Sequence, residues 1–234
     1  MSDNIELSIQ PAYNVINNKI DYAEILVRKY MNIDGAQRVL QYVRDTETEL
    51  EFDLRVLEET LKYIKNHPDL DYPIGVNLCP RTITLENAYE NIIEMINNYN
   101  IHPDSIVIEI NEDSDFSNNN TFENIKQLRT FGIAVALDDF GTSNANFQSL
   151  LRDSFDVIKI DKKFIDYLNE NDAEHENSGN AILTSMLKLC KMLGVKSIVE
   201  GIESYKQLEY TKKMGCNSIQ GYIYCKPIPL KDYK

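Results

Sequence analysis

Asp138 and Asp139 close the apolar run Val135-Ala136-Leu137 and are followed by Phe140-Gly141. Adjacent residues of a strand point to opposite faces, and neighbouring anions repel. Such a pair must face water, be compensated, or hold a cation. Other polar side chains recur at the ends of apolar runs. Glu24 lies in AEILVR, Asn77 closes IGVN, Glu109 closes IVIE, Lys159 closes VIK, and Glu200 closes SIVE with Glu203 just beyond. A single carboxylate at a strand end is ordinarily a helix cap or a surface ion pair. The same pattern on six strands points instead to acids gathered at one place, where they repel unless cations join them. Oxygen donors without His or Cys suit Mg2+ or Mn2+ rather than zinc. This many carboxylates can hold two ions, and two ions about 4 Å apart are a common means of hydrolysing a phosphodiester. Lys159 among the acids serves charge compensation or orients an attacking water. Arg28, just after Glu24, offers a planar fork to a phosphate or makes a surface ion pair.

The elements that must position these residues are eight short apolar runs: IELSIQP, IDYAEILVR, IGVNL, SIVIEIN, IAVALDD, VIKID, KSIVEGI and SIQGYIY. Between most of them the pattern is helical. LEFDLRVLEETLKYIKN places Leu50, Leu54, Leu57, Leu61 and Ile64 on one helix face. LENAYENIIEMINNY, NTFENIKQLRTFG, NAILTSMLKLCKMLG and SYKQLEYTKKMG follow the same logic, three of them ending at Gly132, Gly194 and Gly215. Ser204 is the expected N-cap of the last. The alternation predicts a (β/α)8 TIM-type barrel. Only AYNVINNK separates the first two strands, too short for a crossover helix, so the barrel is a variant with one antiparallel strand near the N-terminus. In a barrel the singled-out positions converge on one rim. No linker divides the chain, and residues 1–234 form a single barrel domain. The polar residues 169–180 form a solvated loop.

The chain of 234 residues carries a net charge of −13, which argues against binding polymeric nucleic acid. No apolar run approaches the roughly 20 residues of a membrane span. The start, MSDNIELSIQ, lacks a basic segment and a signal-peptide core, so the expected location is cytoplasmic. Cys79, Cys190, Cys216 and Cys225 show no CxxC spacing and are expected to be buried reduced thiols. His67, His102 and His175 are scattered and form no zinc motif.

Taken in order, these residues resemble the EAL-domain phosphodiesterases, which hydrolyse cyclic di-GMP to linear pGpG. The resemblance starts at Gln10-Pro11. It continues through Glu24-Ile25-Leu26 with Arg28, Val76-Asn77-Leu78, Glu109-Ile110-Asn111-Glu112 and Asp138-Asp139-Phe140-Gly141-Thr142. It ends with Lys159-Ile160-Asp161, Glu200-Gly201-Ile202-Glu203 and Gln220-Gly221-Tyr222. It implies metal ligation by Glu24, Asn77, Glu109 and Asp138, with Asp139 and Glu200 in the ligand shell of a two-ion Mg2+ or Mn2+ site. It implies that Lys159 positions the nucleophilic water, with Glu24, Glu200 and Asp139 sharing in catalysis. It assigns substrate contacts to Gln10, Arg28, Glu203 and Gln220, and a loop-bracing role to Glu112. It also implies cyclic di-GMP as ligand, a homodimer and a regulatory protein partner. No cyclase, sensory or DNA-binding segment flanks the barrel, so a stand-alone domain is expected.

Three departures stand out. Ile25 replaces the alanine of the family's name motif. The loop after Thr142 reads Ser143-Asn144-Ala145-Asn146, losing a glycine and an aromatic. The stretch from Arg28 to Phe52 is short and lacks the usual proline-containing segment. The alternative to catalysis is therefore a weak or inactive domain acting as a cyclic di-GMP receptor or a protein-interaction module. A third reading is a barrel enzyme acting on another phosphate ester.

Overall fold

In the computed structural model of the chain, residues 5–142, 150, 155–166 and 173–233 are described, with the backbone alone for 173–177. Strand β1 (Ile5–Asn14) turns back through residues 15–19 into β2 (Ile20–Tyr30), and the two pair antiparallel with Gln10 opposite Glu24. The short β3 (Ile33–Asp34), α1 (Ala36–Asp45) and α2 (Glu49–Asn66) follow. Then come β4 (Ile74–Leu78), α3 (Ala88–Tyr99), β5 (Ile106–Asn111), α4 (Asn119–Phe131), β6 (Ala134–Phe140) and β7 (Val157–Ile160). The chain closes with α5 (Lys163–Asp166), α6 (Ala173–Leu193), β8 (Lys196–Val199), α7 (Tyr205–Met214), β9 (Ser218–Gln220) and β10 (Ile228–Pro229).

The strands β2, β4, β5, β6, β7, β8 and β9 pair in that order, each parallel to the next. β1 closes the ring by pairing antiparallel with both β2 and β9. The expected barrel with one reversed strand is the fold that forms. Period-two alternation divides the side chains. Leu7, Ile9, Ile25, Ile108, Ile110, Leu137, Ile158 and Val199 point outward into the core shared with the helices. Ala12, Tyr22, Val107, Ala136, Val157 and Ile198 form a separate packed layer inside the barrel.

The helices end as their sequences predict. Gly132 and Gly215 adopt left-handed caps, with φ of 107° and 85°. Ser204 accepts from Gln207 N, and Gln207 returns the bond to the Ser204 backbone, which makes a capping box. Three expectations need correction. The polar segment is not all loop: α6 begins at Ala173, because a helical backbone ladder tolerates a polar turn, while residues 169–172 lie outside the described residues. The last strand stops at Gln220, where Tyr224 N and Cys225 N bond back to Gly221 O and make a turn of Tyr222–Tyr224. The segment after Arg28 contains a helix that was not anticipated, α1, which buries Val39 and Val43 one turn apart. No described helix is long and apolar enough to cross a membrane.

Candidate active site

A bulge at the end of β6 settles how two adjacent acids can share a rim. Leu137 pairs with Ile158 and Phe140 with Ile160, so β6 uses one residue more than β7 over the same span. Leu137 and Phe140 both enter the outer core. Asp138 and Asp139 share the interval between them. Asp139 takes a left-handed backbone with φ of 56°, which Asp tolerates better than most residues. Its Oδ2 accepts a hydrogen bond from Asn111 Nδ2 at 2.8 Å.

Lys159, on the inward face of β7 and only 1% exposed, stands amid the other acids. Its Nζ lies 3.0 Å from Glu24 Oε2, 2.5 Å from Glu109 Oε2, 2.9 Å from Asp138 Oδ1 and 2.9 Å from Glu200 Oε1. One ammonium thus faces four carboxylates brought from β2, β5, β6 and the end of β8. Asn77 donates to Glu24 Oε1 at 2.9 Å, and Gln220 donates to Glu24 Oε2 at 3.1 Å. Gln10 faces the same rim from β1 and donates to Cys225 O at 3.0 Å. Glu112 accepts from Gly141 N at 2.9 Å and Thr142 N at 3.1 Å, tying the start of the loop after the aspartates to the end of β5. Ser143, Asn144, Ala145 and Asn146 lie outside the described residues.

Crowding the acids has electrostatic consequences. Burial, then the charge of Glu24, holds Glu109 well above the usual carboxylate range. Burial pushes Glu200 up to about 8, against the opposing pull of Lys159. Burial and then Asp138 and Asp161 raise Asp139. Burial alone would lower Lys159, but Asp138, Glu109, Glu200 and Glu24 drive it well above its ordinary value. Among the described residues a single ammonium faces four carboxylates, so acidic groups outnumber basic ones. Oxygens of Glu24, Glu109 and Asp138 lie within 4.8 Å of one another, as do oxygens of Asp138, Asp139 and Glu200. The two triads share Asp138. Its Oδ1 is buried and meets no well-directed hydrogen-bond donor. A hard, all-oxygen donor set with surplus negative charge fits divalent cations such as Mg2+ or Mn2+.

A cleft of about 680 Å³ opens from Asp138 and Asp139 past Leu26, Arg28, Phe52 and Arg81. A smaller acidic arm of about 310 Å³ runs from the same two aspartates past Gln10, Glu24, Asp161, Glu200, Glu203 and Gln220. All the residues singled out from sequence therefore lie at or beside one rim. Arg28 and Glu203 line opposite arms without touching the Lys159 cluster. Three residues were not singled out. Asn111 orients Asp139, Asp161 adds charge beside it, and Tyr22 donates to Glu109 Oε1 from below. Asn111 and Tyr22 each sit two positions from a singled-out acid on the same strand face, which is a readable signal.

A family model described as EAL domain matches residues 1–227. The chain is 35% identical over 218 residues to "Probable cyclic di-GMP phosphodiesterase PdeA" of Escherichia coli K12, covering 90% of this chain and 29% of that protein. It is 29% identical to "Probable cyclic di-GMP phosphodiesterase PdeB" of the same organism, covering 96% of this chain and 43% of that protein. The chain thus spans less than half the length of these curated relatives. Among solved structures it superposes on "PaMucR Phosphodiesterase, c-di-GMP complex" with a TM-score of 0.86 at 25% identity, covering 97% of this chain and 98% of that one. An EAL domain protein from Listeria monocytogenes EGD-e gives 0.78 at 25% identity, covering 97% of this chain and 89% of that one. With the model spanning nearly the whole sequence and its strand-end acids gathered on one barrel rim, the chain belongs to the EAL-domain family.

Proposed function

We propose that this chain is a metal-dependent phosphodiesterase that hydrolyses cyclic di-GMP to linear pGpG, working as one barrel domain over residues 1–234. The observation that carries the reading is the pair of oxygen triads sharing Asp138 beside the buried ammonium of Lys159. Glu24, Asn77, Glu109 and Asp138 would hold one divalent cation, and Asp138, Asp139 and Glu200 would hold a second. When bound, such ions supply Lewis-acid activation of the phosphoryl group and acidify a water at neutral pH. Lys159 orients the attacking water and offsets charge developing on the phosphoryl oxygens. Gln220 and Asn77 keep Glu24 in place. Arg28 takes a phosphate oxygen in the larger cleft, whose Leu26 and Phe52 offer apolar surface to a base. Gln10 and Glu203 contact the substrate from the acidic arm. The names of the similar proteins support the choice of dinucleotide. A cytoplasmic location, a homodimer and a regulatory protein partner belong to the same reading and rest on the family resemblance.

The test is product analysis. Purified protein with cyclic di-GMP and Mn2+ is expected to release pGpG, to stop on chelation, and to lose turnover in Glu24→Ala while staying folded. Binding of cyclic di-GMP without product in either Mg2+ or Mn2+ would replace this reading with a receptor.

A further inference from the structure

Tyr22 lies below the rim, two positions before Glu24 on β2, and therefore shares its inward face. It is 3% exposed, and its ring packs in the layer of Ala12, Val107, Ala136, Val157 and Ile198. Its hydroxyl rises out of that layer and donates to Glu109 Oε1. The other carboxylate oxygen, Oε2, faces Lys159 Nζ at 2.5 Å. The two oxygens of Glu109 thus have different duties, one turned down into the barrel and one toward the acids. Space for this contact comes from a third strand. A Cβ on Gly75 of β4 would collide with both the Tyr22 hydroxyl oxygen and Glu109 Oε1. The hydroxyl and the carboxylate meet in the volume a side chain at Gly75 would fill.

We propose that Tyr22 is a positioning residue that occupies Glu109 Oε1 and leaves Oε2 as the single oxygen Glu109 can offer a cation, with Gly75 as the gap that admits it. The proposal rests on the divalent-cation reading of the cluster and deepens it. A carboxylate restricted to one oxygen suits the compact octahedral shell of Mg2+ and comparably small ions. Ca2+ accepts more oxygens and two-oxygen carboxylates, so the restriction disfavours it. A partner that orients a ligand from behind also sets affinity, and its loss typically costs about ten- to a hundredfold.

The experiment is calorimetric titration of the parent, Tyr22→Phe and Gly75→Ala with Mn2+ and, separately, Ca2+. Phenylalanine keeps the ring in its layer, and thermal melts of the ion-free proteins report any loss of fold. Tyr22→Phe is expected to weaken Mn2+ by about tenfold or more while Ca2+ changes less, so the preference for Mn2+ narrows. Gly75→Ala, whose methyl would displace the hydroxyl and Glu109 Oε1 together, is expected to weaken Mn2+ at least as much as Tyr22→Phe does. Unchanged affinities in Tyr22→Phe, or equal losses for both ions, would overturn the proposal while leaving the cation site standing. A parent that binds neither ion would overturn both.

Discussion

Asn111 and Asp139, on neighbouring strands, form a clamp: Nδ2 of the amide lies 2.8 Å from Oδ2 of an acid whose own backbone is left-handed. The bulge supplies the second acid of the rim, and the amide fixes where it points. Asp139→Asn removes the charge but keeps a residue that tolerates positive φ. Asp139→Ala removes the charge and adds backbone strain of about 1 kcal/mol. Both variants are expected to lose turnover, and only the alanine variant to lose melting temperature. Equal melts for the two would mean that the left-handed backbone stores no strain.

Glu112 holds the loop after the aspartates through two backbone N–H groups. Hydrogen bonds to a charged acceptor are worth about 1.5–3 kcal/mol each, and partial exposure reduces that here. Glu112→Ala is expected to cost about 2 kcal/mol in denaturant unfolding and to depress turnover. Glu112→Gln keeps an acceptor oxygen and is expected to recover most of both. A glutamine variant as damaged as the alanine would show that charge, not acceptance, is what the loop needs.

Asp53 of α2 is 1% exposed and accepts from Cys79 N at 2.8 Å and Thr82 Oγ1 at 2.5 Å. Burial pushes its carboxyl up to about 7 in spite of these donors. A folded pKa above the unfolded one of about 3.9 means the native state prefers the protonated acid. Its stabilising contribution is full below about pH 4 and is lost as the pH rises through about 7. Asp53→Asn removes this dependence. Its melting temperature relative to the parent is expected to rise between about pH 4 and about pH 7 and to level off above that. A pH-independent difference would contradict the assignment.

Removing the ammonium at the centre should expose the repulsion it offsets. Lys159→Met leaves Glu24, Glu109, Asp138 and Glu200 without their shared cation. The variant is expected to melt below the parent and to be inactive. It is also expected to gain more melting temperature on adding Mn2+, because the unscreened acids bind the ion more tightly and stabilisation grows with the logarithm of affinity for the folded state. Identical Mn2+-induced shifts would indicate that the ions sit elsewhere.

Most of the barrel could be read from sequence because its signals are local. Short apolar runs marked all eight strands of the ring, and the short link from Ala12 to Lys19 exposed the reversed strand. The rim acids followed, since Glu109, Asp138 and Glu200 each close an apolar run and Glu24 interrupts one. The bulge was not legible: Asp138-Asp139 in sequence does not say which pleat holds the extra residue, which depends on pairing with Ile158 and Ile160. The extent of α6 was missed because polar composition alone does not separate a solvated helical turn from a loop. The contact of Tyr22 with Glu109 was hidden for a third reason. It depends on Gly75, on a different strand, having no side chain, and no local pattern reports such a gap.

The proposed catalysis requires that the rim acids form one site for two divalent cations sharing Asp138. Electron paramagnetic resonance of Mn2+ added to the purified protein tests it directly. The parent is expected to bind two ions per chain with the spectrum of a coupled pair, and Asp138→Asn to show no coupled pair at the same Mn2+ concentration. A single uncoupled ion in the parent, or a coupled pair that survives in Asp138→Asn, would contradict it.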